Sequence, residues 1–96
     1  MVTVGMDNLS GFNASVTVGT TTKPVPQGQT IEFSVTGQTI FRATPETTID
    51  QNVLPKASEA WSYDATSDMI ISLLSNGNQL YFAPGRVGTT RRRGTE

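Results

Sequence analysis

The sequence predicts an all-β chain: a small single-domain β-sandwich or partly open β-barrel, with room for one short helix. Three observations carry that reading. Short segments alternate apolar and polar residues, as half-buried strands do. Gly, Pro and Asn punctuate them at short intervals. Fifteen of the 96 residues are Thr, whose branched Cβ suits a pleated strand, and no long helical pattern separates the strands.

In chain order, MVTVGMDNLSG has neither a basic start nor a continuous apolar run, so no signal peptide is expected and no strand is assigned there. FNASVTVGT is the first expected strand, with Ala14, Val16 and Val18 on one face and Ser15 and Thr17 on the other. TTTKPVPQG reads as an exposed connection, with Pro24-Val25-Pro26 extended, because proline excludes helix and central strand. QTIEFSVT alternates cleanly, placing Ile31, Phe33 and Val35 together. Past Gly37, QTIFRA is another strand or the same one continued beyond a bulge.

TPETTIDQNVLP is an irregular arm, anchored by Ile49, Val53 and Leu54. EAWSYD is a strand with Trp61 and Tyr63 on one face. DMIISLLSNGNQLYFAPG admits two readings. Ile70, Leu73 and Leu74 are spaced for a helix over residues 67–75, yet Asn76-Gly77 between apolar runs signals a type I′ hairpin. The compact QLYF that follows favours the hairpin. The expected core is Val16, Val18, Ile31, Phe33, Val35, Ile71, Leu73, Leu80 and Phe82.

Length allows one domain, read as a compact unit over 1–90 and a flexible basic tail over 91–96. The net charge of -1 is unevenly placed. Residues 86–96 carry +3, mostly from Arg91, Arg92 and Arg93, against -4 on the rest. No apolar run approaches the roughly 20 residues of a membrane-spanning helix, so no membrane partner is expected.

Catalytic chemistry is thinly represented. The chain has no Cys and no His, which removes thiolate and imidazole catalysis and the usual zinc and copper ligands. Hydroxyls are abundant but lack an evident activator, since Lys23 and Lys56 sit beside prolines in no nucleophile motif. Asp64 with Asp68, and Glu46 with Asp50, are spaced four apart and read as solvated or turn-forming acids. Asn8-Leu9-Ser10 and Asn13-Ala14-Ser15 match a glycosylation sequon and are read as turn and edge chemistry. No enzyme activity, cofactor or metal is expected.

The candidate interaction residues are Tyr81, Trp61, Arg91, Arg92 and Arg93. Alternation sets Tyr81 opposite Leu80 and Phe82, making it the best exposed aromatic. The arginine run provides directional forks for phosphate or carboxylate, but no basic residues track across the body. The leading expectation is therefore a non-enzymatic structural or interaction protein that forms a homo-oligomer or joins a protein partner. The composition is similar to that of many small phage and virus particle proteins, which suggests an accessory, decoration or tail-associated role in a virion, with the cytoplasm as the site before assembly. Two alternatives are a carbohydrate- or ligand-binding module and an accessory nucleic-acid-binding protein using the arginines.

Overall fold

Alternation decides which side of each segment is buried, and two buried sides facing one another make the core. The computed structural model describes residues 1–46 and 55–85. Its strands are β1 (Val2–Asn8), β2 (Ala14–Val18), β3 (Thr21–Val25), β4 (Thr30–Val35), β5 (Gln38–Pro45), β6 (Trp61–Asp64), β7 (Met69–Ser75) and β8 (Leu80–Pro84). They form two four-stranded sheets, ordered β4-β1-β7-β8 and β3-β2-β5-β6. Of the two architectures expected, the sandwich is the one realised, and no helix occurs among the described residues.

The missed element is β1, and it is central. Val4 and Met6 are fully buried, and β1 pairs antiparallel with β4 and parallel with β7. Gly5 at its centre and polar Asp7 and Asn8 at its end obscure its alternation. At Gly5 a Cβ would lie 2.8 Å from Ile70 Cδ1 and 3.3 Å from Thr30 Cγ2, so neighbouring side chains close over that position.

A second correction concerns TTTKPVPQG, whose first half is the edge strand β3, paired with β2. Pro24 lies within it opposite Ser15, a position tolerated because the strand is an edge. Val25 is fully buried, which is worth about 1.5–3 kcal/mol. That exceeds the roughly 1 kcal/mol of one ladder hydrogen bond lost to proline.

QTIFRA begins β5, which pairs with β2 in the sheet opposite β4. Gly37, at φ 69°, therefore marks a crossing between sheets and not a bulge. Residues 67–75 contain β7, not a helix. Ile71 and Leu73 are buried between the sheets, while Ile70 and Leu74 occupy the outer face.

The β7–β8 hairpin forms as expected, with a different turn. Among the described residues Gly77, at φ 94°, has the turn's only positive φ, which excludes type I′. The loop centres one residue later, on Gly77-Asn78, closed by Asn76 N–H donating to Gln79 C=O at 3.3 Å. Asn76 Oδ1 accepts the N–H groups of Asn78 and Gln79 at 2.9 and 3.0 Å. The side chain thus does what a positive φ at Asn76 would otherwise have done.

The expected core residues are buried with one exception. Ile31 is half-buried, because β4 is an edge strand, although it packs against the core. Additional core comes from Val4, Met6, Val25 and Phe41.

Candidate functional site

The sandwich leaves four edge strands, and each has a feature that limits further pairing. Pro24 removes an N–H from β3. On β4, Lys23 Nζ donates to Glu32 C=O at 2.8 Å and lies 5.1 Å from the Phe33 ring centroid. That ammonium closes one side of the sandwich by hydrogen bond and cation–π contact. β6 has only four residues and ends in Asp64. Beside β8, Lys56 N–H donates to Asn78 C=O and Lys56 C=O accepts from Leu80 N–H, while Pro84 ends the strand. Interaction sites are better sought on faces than along edges.

The outer face of the second sheet is polar. Thr17 and Thr22 hydroxyls are 2.8 Å apart, and Gln38 Nε2 donates to Ser62 Oγ at 2.7 Å. Ile40 is its exposed large apolar residue.

The outer face of the first sheet is divided. Register sets Gly5 between Glu32 and Ile70, and Asp7 between Thr30 and Ser72. Its β4–β1 half is acidic. Its β7–β8 half carries Ile70, Leu74, Tyr81 and Ala83, with Leu74 directly opposite Tyr81. Leu9 N–H donates to Leu73 C=O, continuing the β1–β7 ladder, so alternation adds Leu9 to the same face. Leu9 and Tyr81 are 42% and 43% exposed. Leu9, just past the end of β1, thus joins Leu74 and Tyr81 in an apolar row on this face. Sequence reading found only Tyr81, because Leu9 and Leu74 join it only once β1 is recognised and β7 is a strand.

Tyr81 also borders a cleft of about 260 Å³ with Glu59, Trp61, Gln79 and Phe82. The structure therefore brings together two of the five expected interaction residues. Trp61 stacks on Tyr63 at 4.7 Å and on Phe82 at 5.7 Å, with Phe41 tilted against it at 5.4 Å. Protein rings already engage the indole, so Trp61 joins the sheets instead of offering a clear ring face to a ligand. Arg91, Arg92 and Arg93 lie outside the described residues.

Of the other polar candidates, Asp68 and the two sequon asparagines have structural duties. Asp68 Oδ1 accepts from Thr3 N–H at 2.9 Å. Asp64 lies opposite Gln38 at the end of β6, Glu46 N–H donates to Asn13 C=O, and Asp50 lies outside the described residues. Among the described residues no three acids are grouped to hold a metal ion. Asn8 is fully buried, with Nδ2 donating to Phe12 and Val25 carbonyls and Oδ1 accepting from Ser10. Asn13 Oδ1 accepts from Gln27 N–H. Both sequon asparagines therefore hold loops.

No protein-family profile matches the chain, and no curated protein or solved structure shows significant similarity to it.

Proposed function

We propose that the chain is a non-enzymatic structural protein that assembles with a second copy of itself across the outer face of the first sheet. The observation that carries this reading is the apolar row Leu9–Leu74–Tyr81, with Ala83 two residues along β8 from Tyr81. Face-to-face packing of two such rows about a two-fold axis buries each against its equivalent. The managed edges favour this geometry over strand addition. A setting in a phage or virus particle belongs to the same proposal and draws on composition.

The alternatives receive less support. A sugar or base platform needs a free ring face, and Trp61 is engaged by Tyr63 and Phe82. A nucleic-acid surface needs a basic track, whereas Lys23 lies at the β3–β4 edge, Arg42 on the outer face of the second sheet and Lys56 beside β8.

Sedimentation velocity over a wide concentration range tests the proposal. The wild-type chain is expected to dimerise, and Tyr81→Glu to weaken dimerisation by at least about tenfold with an unchanged circular dichroism spectrum, as for a central aromatic contact. A chain monomeric at every concentration overturns it, as does a Tyr81→Glu variant that dimerises normally.

A further inference from the structure

We propose that Asn76 is a self-modification site, held closed by the folded β7–β8 turn: when the turn opens, the Gly77 backbone nitrogen attacks the Asn76 side-chain amide and deamidates it. Of the five asparagines in the chain, Asn76 alone is followed by glycine. The reaction needs the nitrogen of the next residue to reach Asn76 Cγ, and glycine puts no side chain in the way. Asn76, Gly77 and Asn78 are exposed, and a Cβ placed on Gly77 would meet no atom within 4 Å. Water and base therefore reach the site directly from solvent.

Water is the co-reactant. The Gly77 amide proton is lost to base, a bond forms between the Gly77 nitrogen and Asn76 Cγ, and the Cγ–Nδ2 bond breaks. Nδ2 takes up a proton from water and leaves as ammonia, and a five-membered succinimide then joins residues 76 and 77. A second water opens the ring. Entry at Cγ leaves aspartate, whereas entry at the main-chain carbonyl leaves isoaspartate, which routes the backbone through the side chain of residue 76. Either product puts a carboxylate where a neutral amide stood.

The folded turn opposes the first bond at both reacting atoms. Attack needs Cγ turned back over the Gly77 nitrogen. Asn76 Oδ1 instead accepts the N–H groups of Asn78 and Gln79 at 2.9 and 3.0 Å, which fixes the side chain toward residues further along the turn. Gly77 N–H donates to Ser75 Oγ at 3.1 Å. A hydrogen bond made by the protonated form disfavours loss of the proton, so the nucleophile is held back as well. Asn76 N–H donating to Gln79 C=O closes the backbone around both. Deamidation therefore proceeds from the locally opened hairpin. That opening breaks only exposed turn bonds and leaves the buried Leu73–Phe82 pair in place.

The site does not depend on the dimer. In its test the full-length chain is incubated at mildly alkaline pH, folded and in guanidinium chloride. Mass spectrometry follows the peptide that contains residues 76 and 77, and enzymatic methylation scores isoaspartate. Asn76 is expected to deamidate in both, at least about tenfold more slowly in the folded chain. The same factor should appear as protection of the Asn78 and Gln79 amides in hydrogen exchange, since one opening releases both. Ser75→Ala keeps the Asn76 bonds and should speed deamidation of the folded chain by about threefold or more, with an unchanged circular dichroism spectrum and an unchanged rate when unfolded. Equal rates in the folded and unfolded wild type overturn the proposal, as does an Asn76 that stays an amide in the unfolded chain. A slowing that does not match the amide protection also overturns it, and that comparison needs no variant.

Discussion

Asn8 is the residue on which the crossings between the sheets converge. It ends β1, and its backbone accepts from Gly28 N–H and donates to Gln29 C=O. Its side chain holds the Phe12 and Val25 carbonyls at 2.8 and 2.7 Å, and Ser10 at 3.0 and 2.6 Å. One buried amide therefore ties the β1–β2 and β3–β4 connections together. Asn8→Ala leaves buried carbonyls without a donor and is expected to cost about 2–4 kcal/mol. Asn8→Asp should be worse at neutral pH, because an oxygen replaces the donor that faces two carbonyls. Urea unfolding of both variants checks the order, and an alanine cost below about 1 kcal/mol would show that water replaces these bonds.

At the scale of elements, the β7–β8 hairpin separates what local chemistry specifies from what the partner strands specify. Gly77 has φ 94°, and Asn76 Oδ1 holds the two N–H groups that follow. Gly77→Ala is expected to cost about 1 kcal/mol or more through the unfavourable backbone region, and Asn76→Ala about 1 kcal/mol through the lost acceptor. Both should leave the Leu73–Phe82 pairing intact, which cross-strand contacts in NMR spectra can establish. The hairpin was legible because apolar runs flank an Asn-Gly pair. The turn's centre was not, because a side-chain hydrogen bond competes with a backbone φ and both use the same residues. β2 and β4 were legible from period-two patterning alone. β1 was not, since Gly5 interrupts the pattern and its burial depends on strands distant in sequence. The same distance hid Leu9 and Leu74 from the reading of the site, while Tyr81 stood out through its own alternation.

The whole molecule is joined across its layers by the rings of Phe41, Trp61, Tyr63 and Phe82, three from the second sheet and one from the first. Phe41 and Phe82 meet edge-on at 5.9 Å, while Trp61 stacks on Phe82 at 5.7 Å. Neither sheet can expose its inner face without stripping this cluster from the other, so unfolding should be a single cooperative transition. Trp61 fluorescence reports the contact between sheets, and far-ultraviolet circular dichroism reports the strands; their thermal midpoints are expected to coincide. The described core is built from residues between Val4 and Phe82. Removing residues 91–96 should therefore preserve that single transition. Separated midpoints would mean that the sheets unfold independently and that the ring cluster does not couple them. A truncated chain with no cooperative transition would place residues 91–96 among the groups that hold the sandwich together.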